Sequence, residues 1–376
     1  MRHHVTLTMT AVGVALLSAA CGSGSPDASN KVIQRQTVPD SQFKPAALEA
    51  TIDDLVTAIE KTPAESHKMA ILLKQLTGFF ASVATGSNRA ISELQVTGTV
   101  VGPASPTGDQ TQNIMLQDMF LQQALTEGYD TLGISPQATS LDSDIDAYVA
   151  KGVPVVALDS DAPDSMRSLY VGTINKAAGV TGGNTLLGML PPAPGTVIVL
   201  GNTDTTWADG IDRTAGAQGV LEAAGYTVQV ISTDWSMTGE ASNVTALQAA
   251  LTGASPPAVG MLGLFSAGYR CAMAAQANGM TGADIKIVGF DFDPSTVMFL
   301  QSGLMQATHA QREYYEGYLV PYVLYGIKVL GLDATKAILK PQMVDDFRVD
   351  TGVDVVPAAQ VDDYNAFLDS IGANTQ

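Results

Sequence analysis

Residues 152–173 read GVPVVALDSDAPDSMRSLYVGT. Two short aliphatic runs, 154–158 and 168–171, flank a polar loop, and the first run closes on Asp159, Ser160 and Asp161. Apolar runs of this length, bounded by turn residues and without polar alternation, fit strands covered on both faces. Short β-rich runs recur at 68–73, 95–101, 131–135, 196–200, 227–231, 258–262 and 285–290. Between these runs lie stretches with helical spacing, such as 109–127, 207–224 and 238–253. Strands alternating with helices imply parallel sheets built from right-handed βαβ units. At 376 residues the chain is too long for one ordinary domain, so the expectation is an α/β protein of two lobes.

In such sheets ligands gather at the carboxyl ends of the strands. Polar or aromatic groups stand there repeatedly: Lys74 with Phe79 and Phe80, Asp159 with Asp161, and Asn202 with Asp204. Asp234 with Trp235, Asp291 with Asp293, and Gln311 with Arg312 continue the series. Each alone is an ordinary loop residue; together they mark a candidate ligand crevice. The alternatives are core packing for Phe79 and Phe80, a solvated strand end for Lys74, and shielding of a lobe surface for Trp235. Asp161 and Asp293 precede helices or prolines and read as turn or capping residues.

Hydrophobic residues make up 46% of the chain and charged ones 15%, which excludes a disordered polyelectrolyte. A formal charge of -18 argues against nucleic acid as a partner. At the start, Arg2, His3 and His4 precede an apolar stretch and the small residues Ser18, Ala19 and Ala20, the pattern of an export signal over 1–20. Cys21 follows directly, and the junction resembles a bacterial lipobox, in which the cysteine carries lipid; Leu17 stands one position early for that pattern. If Cys21 carries lipid, Cys271 is the only thiol left and no intramolecular disulfide forms. Residues 45–61 have the spacing of an amphipathic helix, expected outside the main fold, so that 21–66 reads as a lipidated linker plus that helix.

No catalytic constellation assembles from the sequence. Beyond the signal the only histidines are His67 and His309, neither in metal-ligand spacing nor beside Cys271. The segment around Ser266 lacks the first glycine of a nucleophile elbow. The reading is therefore a binding protein and not an enzyme, with no metal and no cofactor.

Four segments carry a family resemblance: ILLKQLTGFF (71–80), the stretch at 152–173, IKIVGFDFDPS (285–295) and VDTGVDVV (349–356). They resemble the ribose-like, type I periplasmic binding proteins, the solute receptors of bacterial ABC importers. The resemblance implies two Rossmann-like lobes with parallel central sheets joined by a three-segment hinge. It implies crossings near Gly172, near Gln311 and around Leu330. Lobe one would then hold 67–172 and 312–330, lobe two 173–310 and 331–360, with 361–376 as a C-terminal tail.

The resemblance also implies a site. The tandem aromatics match Phe79 and Phe80, and the aspartate closing the VVALD strand matches Asp159. The arginine at the start of the second-lobe helix matches Arg213 in DRTAG. Trp235, Asp291 and Gln311 match the remaining aromatic, aspartate and glutamine. Departures occur at Ser160 and Gly268, where ribose receptors carry arginine and asparagine. Lys74 with the DSD run is instead similar to the receptors for autoinducer-2 and rhamnose. The expected ligand is a small neutral sugar or polyol, and the expected partners are an ABC importer permease and a membrane reached through the lipid anchor. The receptor itself is expected to be monomeric and extracytoplasmic. The alternative is a ligand-sensing receptor that presents its closed form to a signalling partner.

Overall fold

The computed structural model describes residues 29–104, 109–205 and 207–374; the signal and Cys21 lie outside the described residues. The chain opens with α1 (Ala46–Ile59), then runs β1 (Lys68–Leu72), α2 (Phe79–Glu93), β2 (Thr97–Val101), α3 (Gln110–Thr126), β3 (Thr131–Ile134), α4 (Asp142–Ala150), β4 (Val155–Leu158) and β5 (Leu169–Gly172). The second half holds α5 (Asn175–Leu187), β6 (Thr196–Gly201), α6 (Ala208–Ala223), β7 (Thr227–Ser232), α7 (Gly239–Gly253), β8 (Ala258–Gly263), α8 (Tyr269–Ala277), β9 (Lys286–Phe290), α9 (Pro294–Gln301) and β10 (Ala307–Ala310). The return segment holds α10 (Glu313–Leu330), α11 (Leu332–Leu339), β11 (Arg348–Asp350), β12 (Asp354–Pro357) and α12 (Val361–Ile371).

Two six-stranded sheets result, with strand orders β11-β5-β4-β3-β1-β2 and β12-β10-β9-β8-β6-β7. The first is parallel throughout, and in the second only β12 runs antiparallel to its neighbour β10. The central strands β3, β4 and β6 are buried along their whole length, as a sheet covered by helices on both faces requires. The two orders match position for position, so β4 of the first lobe corresponds to β9 of the second. Asp159 and Asp291 follow these two strands, and both take left-handed backbone, with φ of 61° and 64°. Aspartate tolerates that region better than most residues.

Each lobe also joins a pair of helices through glycine. In lobe one, a Cβ on Gly86 of α2 would lie 2.1 Å from the Tyr314 carbonyl, and one on Gly317 of α10 would lie 1.9 Å from that of Val83. In lobe two, α5 and α6 repeat the device, with Gly179 against the Arg213 carbonyl at 1.9 Å and Gly216 against that of Lys176 at 2.2 Å. Only residues without a side chain allow backbones this close. The α10 helix also brings Tyr314, Tyr315, Tyr318, Tyr322 and Tyr325 into the first lobe, where all five are buried. Glu93 accepts from the hydroxyls of Tyr318 and Tyr322 at 2.5 and 2.7 Å.

Three expectations require correction. The helix at 45–61 is not outside the fold: Leu48, Ile52, Leu55 and Ile59 of α1 are fully buried in the same apolar cluster as α10. Residues 331–360 do not all belong to lobe two. Leu339 of α11 is buried in that lobe-one cluster and β11 pairs with β5, so the third crossing falls between Asp350 and Asp354, well after Leu330. Residues 361–376 are not simply a tail, because 361–371 form α12, with Tyr364, Phe367 and Ile371 buried. The first two crossings lie at Gly172–Thr173 and Ala310–Glu313.

The three crossings are tied together. Thr351 N–H donates to the Gly172 carbonyl at 3.1 Å, and Arg312 Nη1 donates to the Thr351 carbonyl at 2.9 Å. The Arg312 Nη2 also pairs with Asp354 Oδ1 at 2.7 Å. Arg312 itself has φ +58°, and the Gly352 beside its guanidinium has φ +79°.

Candidate functional site

The carboxyl ends of the two sheets face one another. The Asp161 amide after β4 donates across the gap to Asp209 Oδ2 in the first turn of α6, at 3.4 Å. On the lobe-one wall, Lys74 follows β1 and its Nζ donates to Ser160 Oγ at 2.5 Å and lies 3.3 Å from Asp159 Oδ2. Ser135 Oγ donates to the same Asp159 oxygen at 2.8 Å. Asp161 pairs with Arg167, whose Nη2 donates to Oδ2 at 2.7 Å. Lysine, hydroxyls and carboxylate thus order one another from three adjacent strand ends.

The lobe-two wall is organised by Arg213, which is 5% exposed. Its guanidinium donates to Asn175 Oδ1, to Gln311 Oε1 and to the Leu264 carbonyl, the last at 3.0 Å. Gln311 Nε2 passes the chain on to Asp291 Oδ1 at 2.6 Å. The guanidinium carbon lies 5.2 Å from the Phe265 ring centroid and 5.0 Å from that of Phe290, within cation–π range of both. Asp209 and Arg213 are four residues apart on α6, the spacing that sets two side chains on one helix face.

Of the residues expected from the sequence, Lys74, Asp159, Arg213, Asp291 and Gln311 come together in these two walls. Phe80 is buried in the lobe-one core with Lys74 Nζ 6.0 Å from its ring centroid, and Phe79 meets it edge-on at 5.1 Å. Trp235 is 50% exposed and stands edge-on to Trp207 at 6.4 Å and to Phe265 at 6.1 Å, an aromatic group on the lobe-two side. Asp293 caps α9, accepting from the amides of Ser295 and Thr296. Arg312 serves the hinge.

Sequence reasoning missed Ser135, Asn175, Trp207, Asp209, Phe265 and Glu316. Asp209 was within reach, because it shares the face of Arg213. Asn175 opens α5 just past the first crossing, where no strand end draws attention to it.

Burial pushes the Asp209 carboxyl up to about 6; Lys74 opposes the rise, and Asp159 and Asp161 add to it. Asp291 is likewise pushed up to about 6 by burial, against the pull of Arg213 and Gln311. At the start of α10, burial lifts Glu313 from 4.5 to about 8, with Asp291 and Asp354 adding repulsion. Glu316, which accepts from the Thr173 amide and hydroxyl at 3.2 Å, is raised well above its ordinary value by burial and by Asp159 and Glu313. His309 is buried against Gly289 and Thr185, and burial lowers it to about 4. Cys271, the one cysteine among the described residues, is fully buried, with its thiol pushed up to about 12.

The sign for Glu313 follows from linkage. Between 4.5 and about 8 the unfolded chain has released a proton that the folded chain retains, so this group's contribution to stability is present at low pH and lost as pH rises through that window. Thermal melts of Glu313→Gln should therefore converge with wild type near pH 4.5 and exceed it by pH 8. Parallel curves would overturn the assignment.

The walls supply fixed donors, acceptors and ring faces, which is recognition chemistry. Residues 69–330 match the family described as the periplasmic binding protein domain. No curated protein matches the chain. Among solved structures it is similar to a sugar-binding protein of a sugar ABC transporter from Bacillus halodurans, at 24% identity and TM-score 0.67, covering 80% of this chain and 100% of that one. A solute-binding protein of an ABC transporter from Burkholderia graminis C4D1M, in complex with D-arabinose, gives 24% identity and TM-score 0.64 over 79% of this chain and 97% of that one. A periplasmic ribose ABC transporter structure from Conexibacter woesei gives 19% and 0.66 over 81% and 95%. With the two-lobed architecture and the matched span, the chain belongs to the periplasmic binding protein domain family.

Proposed function

We propose that the protein is an extracytoplasmic solute receptor that captures a small neutral sugar or polyol between its lobes and delivers it to an ABC importer. One observation supports this reading: the Asp161 amide of lobe one donates to Asp209 of lobe two at 3.4 Å, beside the Lys74–Asp159–Ser135 cluster on one side and the Arg213–Gln311–Asp291 chain on the other. Vicinal hydroxyls are donors and acceptors at once, so they satisfy carboxylates on one side and ammonium or guanidinium groups on the other. The ring faces of Trp235 and Phe79 offer apolar surface to the C–H face of a sugar. The ligand leaves chemically unchanged. A structural neighbour described as a sugar-binding protein and another solved in complex with D-arabinose support the same ligand class.

A thermal-shift screen against pentoses, hexoses, polyols and furanone-like diols identifies the ligand. Calorimetry with that ligand should then show Asp159→Ala and Asp291→Ala each weakening binding by about 1.5 to 3 kcal/mol. Unchanged affinity in both variants would discard the site.

The chain is further proposed to be a monomer anchored to the membrane by lipid on Cys21, after removal of 1–20. Cys21→Ser should shift the protein from the membrane to the soluble fraction of lysed cells. A processed variant that still sediments with membranes would refute the anchor.

A further inference from the structure

Beyond the three crossings, the chain passes between the lobes once more. After β12, which belongs to the second sheet, the Ala358 amide donates to the Gln306 carbonyl at 2.9 Å, and Val361 is buried with Phe299 and Leu300 of lobe two. Three residues later Tyr364, with Phe367, Ile371 and Ala373, enters a larger apolar cluster that joins Phe80 and Val83 of lobe one to Ala310 and Val356 of the second sheet. Ser82 Oγ of α2 donates to the Ala373 carbonyl at 3.0 Å. Helix α12 therefore starts in one lobe and ends in the other.

The segment before α1 clasps this helix. Tyr364, 1% exposed, is held edge-on between Phe43 at 4.9 Å and Phe292 of lobe two at 4.7 Å. Gln36 Nε2 reaches the Ser370 carbonyl at 3.4 Å, and Gln42 Nε2 reaches Asp363 Oδ2 at 3.3 Å. The clasp is itself bound to lobe one: Arg35 donates to Glu49 and to the Tyr318 hydroxyl, and the Gln36 amide donates to Glu93. Neither the clasp nor α12 falls within the family match, which ends at residue 330.

We propose that residues 36–43 and α12 form an interlobe strap that restrains opening of the cleft. Because Phe43 belongs to the clasp on lobe one and Phe292 to lobe two, a rotation that moves the lobes apart at this point would part Tyr364 from one of the two rings. The strap thereby holds the ligand-free receptor closer to its closed form than the hinge alone would. Shortening either aromatic neighbour releases part of that restraint, and losing one aromatic pair shifts the open-to-closed ratio by about two- to tenfold.

The test needs no ligand, so its result is independent of the sugar assignment. Spin labels at Met119→Cys in α3 and Glu222→Cys in α6, both exposed positions, report the interlobe distance in a Cys21→Ser background, where the buried Cys271 does not react. Phe43→Ala and Tyr364→Ala should raise the long-distance population two- to tenfold without ligand, as roughly one lost ring contact implies. Tyr364→Phe, which keeps the ring, should match wild type. If Tyr364→Ala does not fold, Phe43→Ala decides alone. A cooperative melt at lowered temperature with an unchanged distance distribution would mean that the contact is merely structural, and would overturn the strap.

Discussion

Arg213→Ala should abolish ligand capture at concentrations that saturate the wild type, and should destabilise the ligand-free protein by about 3 kcal/mol. Both effects have the same origin. The guanidinium, 5% exposed, is the common donor to Asn175, Gln311 and the Leu264 carbonyl, and the Gln311 amide in turn orients Asp291. Removing it leaves three acceptors without their donor in a site that solvent barely reaches, at about 1 to 3 kcal/mol for each that finds no water. It also deletes the positive charge that opposes the buried Asp291 carboxylate. Lysine cannot substitute, because one ammonium does not span acceptors arranged around a planar fork. Calorimetry and urea denaturation read the two effects separately. An alanine variant that binds within threefold of wild type would show that Arg213 is scaffolding for lobe two and no part of the ligand site.

Gly179→Ala, a single methyl where α5 packs on the backbone of α6, should cost more than tenfold in affinity together with about 1 to 3 kcal/mol in stability. The new Cβ would sit 1.9 Å from the Arg213 carbonyl and 3.0 Å from the Ala217 amide nitrogen, so α6 must move away from α5. That displacement carries Asp209 and Arg213 with it, on the one helix that supplies both a cross-gap acceptor and the central donor. Gly219→Ala in the same helix is the control. Nothing lies within 4 Å of its Cβ, and an alanine there should stabilise by about 0.5 to 1 kcal/mol while binding stays as it was. Equal affinities for the two variants would separate the helix crossing from the site.

Buried parallel strands were legible because they advertise themselves: 155–158 and 196–201 are aliphatic runs ended by polar residues. What escaped was short or held by partners. Strand β10 reads ATHA, and β11 reads RVD; neither has a pattern of its own, and each is a strand because β9 or β5 offers a free edge. The third crossing was misplaced for that reason, since the lobe membership of 331–350 rests on β11 and on Leu339. Helix α1 was visible as an amphipathic stripe, but a stripe does not say which surface covers it. Among the candidate residues, the places of Asp159 and Asp291 at matching strand ends were legible. Asn175 and Phe265 were not, because their role comes from contacts made across the fold to Arg213.

The chain contains two tryptophans, and both belong to the aromatic group on the lobe-two wall, 6.4 Å apart. Lobe one has none, yet it holds the five buried tyrosines of α10. Ultraviolet emission excited at the red edge therefore originates from one side of the molecule alone, whereas tyrosine absorption is weighted toward the other. Each lobe carries its own optical signature, and any lag between the two signals in a denaturation experiment would time the loss of one half against the other without an added dye.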